Sequence, residues 1–451
     1  MKTDPDVSPR SLLPAVERVF ALASSKVWDL AVSWDPARGA PVFTVEGRYA
    51  TRGWTEWTQG FQIGMALLVF DATGEKDFLE LGRAQTLERM PPHLTHAGVH
   101  DHGFNNISTY GTLRRLVLEG KIPRDEWELE TYETALKCSG AVQAMRWSRT
   151  AYGHGYIHSF NGPHSLFADT IRSLRSLAVA HELGHALYGE HDERISLLDR
   201  LVQHVRTTAR FNVYYGEGRD AYDRPGRVAH ESIFNAADGL YRCPSTQQGY
   251  SPFSTWSRGH AWILCGGAEL LEWTRGRPEG EFEPFGGKRD FEALLERMAR
   301  VAAEFYLDGL TASDGIPYWD DGAPGLAALE GWRERPADPW NDREPVDSSA
   351  AAIAAQGLLR FGLVSGEERF QRAGLTVAKA LFAEPYLAAD PRHQGLLLHA
   401  VYHRPNGWDF VPPGRKVPCG ESCLWGDYHL LELALQVQRL ARGEPPYRFS
   451  L

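Results

Sequence analysis

The sequence has few cysteines, no long apolar segment and no excess of positive charge. Its five cysteines are odd in number and widely spaced, which excludes a disulfide framework. No stretch approaches ~18 uninterrupted apolar residues, so no membrane-spanning helix is predicted. The net charge of -10 argues against nucleic acid and anionic membrane surfaces as partners.

The N-terminal segment "MKTDPDVSPRSLLPAVERVF" also lacks the apolar centre of a signal peptide, because it is polar and interrupted by prolines. Cysteines that form no framework are typical of the reducing cytosol. We therefore predict a cytoplasmic protein. No feature of the sequence predicts an oligomeric state.

Apolar residues recur at helical spacing through most of the chain. The predicted helices lie near residues 11–30, 60–72, 105–119, 125–146, 167–188, 192–210, 257–274, 288–308, 347–362, 366–383 and 424–441. No low-complexity linker divides them, so we predict a flexible N-terminus over residues 1–10 and a single all-α domain over residues 11–445. Because no strict repeat is visible, periodicity leaves an open solenoid and a closed toroid as alternatives.

The stretch "AHELGHALYGEHDE", residues 180–193, resembles the zinc-binding string of a metzincin protease. His181 and His185 on one helix face could hold Zn²⁺, with His191 as a third ligand and Glu182 as general base. However, the pattern requires glycine where Tyr188 stands. The only later methionine, in "FEALLERMARVAAEFY", has helical spacing. The alternative, an amphipathic helix with solvated histidines and no metal, is favoured.

Two aspartates stand at the starts of predicted helices. Asp101 lies in "GVHDHGFNNISTYG" and Asp169 in "SFNGPHSLFADTIRSL". Either aspartate could simply cap its helix. Together they could form a pair of carboxylates that supplies acid and base to a sugar.

A third polar cluster lies in "STQQGYSPFSTWSRGHAW", residues 245–262, where Gln248, Trp256, Arg258 and Trp262 crowd together. A loop running into a helix could aim them into one pocket. Arg258 could bind a substrate carboxylate through two hydrogen bonds, or it could serve an internal ion pair. The 14 tryptophans of the chain suit the stacking of sugar rings, although large aromatic cores are also common.

These segments occur in an order that resembles glycoside hydrolase family 88, the unsaturated glucuronyl hydrolases. The matching pieces are "WTEWTQGFQIG", "HDHGF", "SFNGPHSLFADTIRSL", "RVAHESIFN", "QQGYSPFSTWSRGHAW", "DGIPYWDD", "DSSAAAIAAQGLLRF", "GLLLHAVYHRPNG" and "WGDYHLLELAL". The resemblance implies an (α/α)6 toroid without metal or cofactor. It also implies a reaction in which the C4=C5 double bond of an unsaturated uronic acid, at the non-reducing end of an oligosaccharide, is hydrated.

The resemblance assigns roles to individual residues. Asp169 would be the general acid and base, and Asp101 the second essential aspartate. The remaining matched positions would contact the substrate: Trp57, His100, His230, Gln248, Arg258 and Trp262. Two close carboxylates raise the pKa of one of them, which suits an acid that works near neutral pH.

The chain also departs from the family pattern. Gln62 and His260 replace the residues that are usual there, and "PCGESCLWGDY" alters a region near the positions that select the sugar. The sugar that follows the uronate therefore stays open. Two other functions remain as alternatives: an epimerase or isomerase that uses paired histidines, and a sugar-binding protein without catalysis. The candidate histidines are His100, His154, His158, His230, His399 and His403.

Overall fold

The computed structural model describes residues 1–53 and 56–450. Trp54 and Thr55, which open the motif "WTEWTQGFQIG", lie outside the described residues. The helices are α1 (Leu13–Ser33), α2 (Gln59–Thr73), α3 (Lys76–Arg89), α4 (Pro91–Leu94), α5 (His102–Asn106), α6 (Thr112–Leu118), α7 (Glu126–Met145), α8 (Thr170–Ser173), α9 (Arg175–Glu182), α10 (Leu197–Phe211), α11 (Ser257–Arg275), α12 (Lys288–Phe305), α13 (Ser348–Ser365), α14 (Glu368–Leu381) and α15 (Leu424–Arg442). A π-helical turn, Ile107–Gly111, joins α5 to α6.

The helices form two concentric rings. The inner ring runs from α2 through α5 and α6, α8 and α9, α11 and α13 to α15, and the contact of α15 with α2 closes it. The outer helices α1, α3, α7, α10, α12 and α14 each pack against the inner ring. Closure decides between the two architectures that periodicity left open, and the predicted (α/α)6 toroid is confirmed.

Small residues let the inner helices approach closely. A Cβ added at Gly103 of α5 would lie 2.2 Å from the carbonyl oxygen of Ser173, and one at Gly357 of α13 would lie 2.9 Å from the backbone nitrogen of Cys265. Each neighbouring pair in the inner ring has such a contact, made by one of Gly60, Gly64, Gly103, Gly266, Gly357 and Gly426. The inner helices can approach closely because these positions carry no Cβ, and backbone meets backbone at Gly60, Gly103, Gly266 and Gly357.

A buried network of charges occupies the centre of the ring. Arg172 of α8 donates to Glu269 of α11 at 2.9 and 3.0 Å and to Glu432 of α15 at 2.8 Å. All three side chains are fully buried. Each charge has an opposite partner, as burial requires, and the network joins three inner helices.

The outer ring contains one helix, α3, that was absent from the prediction. Its sequence "KDFLELGRAQTLER" is mostly polar, and it buries Phe78 and Leu79 together with Gly82, Gln85 and Thr86. A helix that buries so few apolar residues has no strong apolar periodicity to detect.

Short strands lie in the loops between the helices. They are β1 (Pro41–Val45), β2 (Arg48–Thr51), β3 (Trp147–Arg149), β4 (Gly155–Ile157), β5 (Ser165–Phe167), β6 (Leu187–Tyr188), β7 (Arg194–Ile195), β8 (Glu231–Phe234) and β9 (Tyr241–Ser245). The sheet β5–β8–β9 matters most, because Phe167 pairs with Glu231 and the Ala168 N–H donates to the His230 carbonyl at 2.8 Å. This pairing brings Asp169 beside His230.

The N-terminal residues, for which flexibility was predicted, contact the toroid. Lys2 N–H donates to the Ser313 carbonyl at 2.8 Å, and Asp4 N–H donates to Thr376 Oγ1 at 3.0 Å. The division into a flexible N-terminus and one domain over residues 11–445 stays a prediction. No helix in the described part of the chain is long and apolar enough to span a bilayer.

Replacement of Gly103 by alanine tests the role of close approach. The added methyl group would overlap backbone atoms of α8, so we expect the free energy of unfolding to fall by about 1 to 3 kcal/mol despite the higher helix propensity of alanine. Urea denaturation measures the change. Gly280→Ala is the control, because that position is exposed and no described atom lies within 4 Å of the added Cβ. Equal stability of the two variants would contradict the packing argument.

Candidate active site

Asp101 and Asp169 stand at the N-terminal boundaries of α5 and α8, but neither side chain caps its helix. Both carboxyl groups instead turn into a pocket at one end of the toroid, where they are almost completely buried. The interpretation of these aspartates as helix caps is therefore wrong. Their burial needs another explanation, because a carboxylate is costly to remove from water.

His100 links the two aspartates. Its Nε2 lies 3.1 Å from Asp169 Oδ2 and 3.8 Å from Asp101 Oδ1. The loop that carries His100 is held by α7, where Gln143 donates to the His100 carbonyl at 2.7 Å. One imidazole thus faces two carboxylates inside a buried pocket.

The three groups set one another's protonation. Burial alone would lower the pKa of His100, but the charges of Asp101 and Asp169 and the hydrogen bond to Asp169 raise it above the usual value. Burial raises the pKa of Asp101. Burial acts in the same direction on Asp169, but His100 and His230 outweigh it and lower the pKa of Asp169. In the free protein, therefore, His100 holds a proton more firmly, and Asp101 rather than Asp169 is the carboxyl with the raised pKa.

His230 approaches Asp169 from β8, with Nε2 at 3.9 Å from Asp169 Oδ1. The backbone N–H of Gln247 donates to His230 Nδ1 at 3.1 Å, so this nitrogen is an acceptor and the proton of the neutral ring belongs on Nε2. Burial lowers the pKa of His230 to about 4, which agrees with a neutral ring. His230 thus presents an N–H to Asp169.

Aromatic side chains form the walls of the pocket. Trp57 stacks on Trp425 at 5.0 Å between ring centroids, and Trp262 lies against Phe104 at 5.0 Å. Trp256 packs beneath the His230 ring at 4.6 Å. Apolar walls of this kind suit the faces of a sugar ring and exclude water from the carboxylates.

Arg258 lines the pocket but is occupied by internal partners. Its guanidinium forms an ion pair with Asp347 at 3.1 Å and donates to Gln248 Oε1 at 2.8 Å and to the Tyr402 carbonyl at 2.7 Å. The internal ion pair, one of the two predicted roles, is present, and the contact with a substrate stays a prediction. Because Gln248 Oε1 accepts from Arg258, the amide nitrogen of Gln248 is left to face a ligand.

A wider cavity of about 700 Å³ opens above the pocket and shares Trp57, Asp101 and Phe160 with it. Its further lining residues are Gly53, His96, Gly98, Val99, Gln247, His403, Asn406 and Trp408. Four buried atoms in and beside the pocket have no hydrogen-bond partner among the described residues: His100 Nδ1, Asp169 Oδ1, His230 Nε2 and the Tyr402 hydroxyl. Unpaired polar atoms inside an aromatic pocket are typical of a site that awaits a polar ligand.

His100, Asp101 and Asp169 also have the spacing of a cation site, since one ligand atom from each lies within 4.8 Å of the others. A metal-bound imidazole must be deprotonated at the ligating nitrogen, whereas the pKa of His100 is raised by the two carboxylates. A proton therefore competes with a cation for this cluster.

The zinc-like string does not form a metal site. The helix α9 ends at Glu182, so His185 lies beyond it and the two histidines do not share a helix face. His181 hydrogen-bonds to Glu281 at 3.2 Å, and Glu182 accepts from the Trp273 indole at 2.8 Å. His181 and Glu182 lie at the C-terminal end of α9, away from Asp169, and their side chains contact neighbouring segments. The prediction of one continuous helix over residues 167–188 was wrong at this end.

Eight of the nine predicted site residues line the pocket. The ninth, His230, is outside the lining, and its Nε2 lies 3.9 Å from Asp169 Oδ1. Sequence reasoning missed four other lining residues: Phe104, Phe160, Phe167 and Tyr402. Phe104, Phe160 and Phe167 stand within three, nine and two positions of the two aspartates, which was the available signal. Tyr402 is far away in sequence, within the segment "GLLLHAVYHRPNG". His260, one of the departures from the family pattern, packs outward against Phe305 and Tyr306.

Comparisons with known proteins relate this chain to unsaturated glucuronyl hydrolases. No family model matches the sequence. An unsaturated glucuronyl hydrolase from Bacillus sp. (strain GL1) is 27% identical over 418 residues, which cover 88% of this chain and 90% of that protein. The solved structure of an unsaturated glucuronyl hydrolase specific for heparin superposes with a TM-score of 0.71 at 19% identity, covering 97% of this chain and 100% of that one. A variant of the enzyme from Streptococcus agalactiae, solved with dGlcA-GalNAc6S, gives a TM-score of 0.63 at 20% identity over 97% and 98% of the two chains.

The chain has the (α/α)6 toroid fold, and its pocket holds a buried pair of carboxylates. The resemblance to glycoside hydrolase family 88, the unsaturated glucuronyl hydrolases, is confirmed by these relatives.

The coupling between His100 and the carboxylates can be tested by NMR. In Asp101→Asn, the pKa of His100 should fall, because one of the charges that raise it is removed. A pH titration of the histidine side-chain resonances measures this shift. Asp77→Asn, which removes an exposed acid on α3, is the control and should leave the pKa of His100 unchanged. Equal titration curves in both variants would contradict the coupling.

Proposed function

We propose that this protein removes a 4,5-unsaturated uronic acid from the non-reducing end of oligosaccharides by hydrating its C4=C5 double bond. The observation that carries the proposal is the position of Asp169 between His100 and His230, beside Asp101, in a pocket with aromatic walls. The names of the relatives support this substrate class.

Asp169 is the proposed general acid and base. Protonated Asp169 would deliver its proton to C4, and the resulting carboxylate would take a proton from the water that adds to C5. The new hemiketal then opens by breaking the bond from C5 to the ring oxygen, which leaves a keto acid with a hemiacetal at C1. Breakdown of that hemiacetal to an aldehyde breaks the glycosidic bond and releases the rest of the oligosaccharide as a free sugar. The consumed water supplies the hydroxyl at C5 and returns a proton to Asp169, so the site is regenerated.

The low pKa of Asp169 in the free protein requires a way to protonate it. A bound uronate would expel water from the pocket and bring its own negative charge, and both effects raise the pKa of a neighbouring carboxyl. The 3.1 Å hydrogen bond from His100 Nε2 to Asp169 Oδ2 offers a path for the proton. We propose that the free site stores the proton on His100 and that substrate binding moves it to Asp169.

The other pocket residues would position the ring. Trp57 and Trp262 offer faces for stacking, and the amide of Gln248 and the hydroxyl of Tyr402 offer hydrogen bonds to the uronate carboxylate. Arg258 acts through Gln248 and is a positioning residue. The wide outer cavity would take the following sugar, with His403, Asn406 and Trp408 near its hydroxyl groups.

Two further expectations accompany this proposal. That neither nucleic acid nor a membrane surface is a partner stays a prediction. A cytoplasmic location stays a prediction, and the five free cysteines, three of which are buried, are compatible with it.

Ultraviolet absorbance provides the direct test, because hydration destroys the conjugation between the C4=C5 bond and the carboxylate. With a panel of lyase-generated disaccharides, sulfated and unsulfated, we expect the wild type to remove the absorbance and Asp169→Asn to be at least about 10³-fold slower, since it cannot transfer a proton. Rates across the panel rank the substrates. Substantial loss of absorbance with Asp169→Asn would contradict the role of Asp169 as general acid. No loss of absorbance with the wild type would favour an epimerase that uses the histidines, or a sugar-binding protein if the sugars bind without any turnover.

Arg258→Lys tests the positioning role. Lysine can keep the charge beside Asp347, but it cannot reproduce the fork of hydrogen bonds that orients Gln248 and the Tyr402 carbonyl. We expect KM to rise about tenfold, the equivalent of one hydrogen bond, with a smaller change in kcat. Steady-state kinetics on the best substrate separates the two constants. An unchanged KM together with a large loss of kcat would contradict a role in substrate positioning.

A further inference from the structure

A second cleft, of about 330 Å³, lies on the outer wall of the toroid between α10, α12 and the loop that follows α10. Its lining residues are His154, Arg206, Ala209, Arg210, Val213, Tyr214, Tyr215, Glu217, Arg219, Asp223, Leu294 and Arg297. None of them belongs to the candidate active site. The concentration of four arginines is unexpected in a chain with a net charge of -10.

Two of the arginines have no carboxylate partner in the described part of the chain. Arg206 and Arg210 stand one turn apart on α10. Arg206 donates to the Phe285 carbonyl, and the Arg210 guanidinium lies 4.4 Å from the Tyr152 ring centroid. Neither guanidinium charge is therefore offset by an ion pair within the described residues.

The two acidic residues of the cleft bind groups other than Arg206 and Arg210. Glu217 forms an ion pair with Arg297. Asp223 accepts hydrogen bonds from the backbone N–H groups of Gly216, Glu217 and Arg219 at 2.8, 3.0 and 2.8 Å. The charges of Arg206 and Arg210 are thus left to a ligand.

The pKa of His154 reflects the positive charge around the cleft. Burial lowers its pKa, and the charges of Arg206 and Arg210 lower it further, against a smaller opposite effect of Asp199. The positive potential is therefore felt where a ligand would lie.

The cleft also offers aromatic surface and a free hydroxyl. Arg219 stacks over Tyr214 at 3.4 Å and Arg297 over Tyr215 at 4.0 Å, so both rings are fixed. The Tyr215 hydroxyl is buried and has no hydrogen-bond partner among the described residues. A buried donor without a partner is costly, and a ligand oxygen would satisfy it.

We propose that this cleft is a second binding site, which takes the carboxylate or sulfate oxygens of an acidic saccharide against Arg206, Arg210 and the Tyr215 hydroxyl. Planar guanidinium groups bind such oxygens through paired hydrogen bonds, and the tyrosine ring can pack against the sugar. A free inorganic anion offers the same oxygens without the sugar. The inference does not rest on the proposed hydrolysis, because the two sites share no residue.

Calorimetric titration of the full chain tests the site with two probes: inorganic sulfate, and a saturated disaccharide that carries a glucuronate and has no C4=C5 bond to hydrate. The double variant Arg206→Gln/Arg210→Gln should bind each probe at least tenfold more weakly than the wild type. Arg194→Gln, an exposed arginine on β7, is the matched control and should bind normally. Tyr215→Phe removes one hydroxyl only and should weaken binding severalfold while leaving the fold intact.

The NMR titration of His154 makes the readout specific to the cleft. Saturating anion should raise the pKa of His154, because it neutralises the two arginine charges that lower it. Tighter binding of the disaccharide than of sulfate would assign the site to a saccharide, and equal binding would assign it to free oxyanions. Binding that is unchanged in both the arginine double variant and Tyr215→Phe, or an unchanged pKa of His154 at saturation, would overturn the proposal.

Discussion

The buried network of Arg172, Glu269 and Glu432 at the centre of the ring is the constraint on which the other features depend. Removing three charges from water is costly, and only their mutual pairing offsets it. Loss of Arg172 would leave two buried carboxylates without their nearest cation, at a cost of about 3 to 5 kcal/mol. The pairing therefore holds α8, α11 and α15 in one relative position. It also fixes the chain on either side of Arg172, three residues after Asp169.

The geometry of the pocket follows from that anchor. Trp262 lies between the network and the pocket, with the Arg172 guanidinium 5.8 Å from its ring centroid. The β5–β8 pairing then sets His230 beside Asp169, and α7 holds the loop of His100. The result is a carboxylate between two imidazoles, one with a raised pKa and one with a lowered pKa. Such an arrangement would keep a proton beside Asp169 and away from water, as the proposed acid catalysis on an unsaturated sugar would require.

Residue identity and spacing predicted most of the site and most of the helices. The aspartates could be selected because both stood at the starts of predicted helices, Asp101 next to His100 and Asp169 in the segment "SFNGPHSLFADTIRSL". Eleven helical segments were visible from apolar periodicity. The helix α3 was missed because an outer helix that buries only a few residues has almost no periodic signal. The string around His181 had the opposite effect, because it indicated a metal site that the local structure does not support. Spacing that suits a metal on a continuous helix means nothing once the helix ends at Glu182.

The sequence by itself determined the helical class, the chemical groups available to the site and their order along the chain, because these depend on local spacing and residue type. Only the tertiary structure decided that the helices close into a ring, since closure is a contact between α2 and α15 at opposite ends of the chain. It also decided that Arg258 serves Asp347 and Gln248, and that Asp101 rather than Asp169 has the raised pKa. Protonation and ion pairing are set by distances and burial, and residues far apart in sequence supply both.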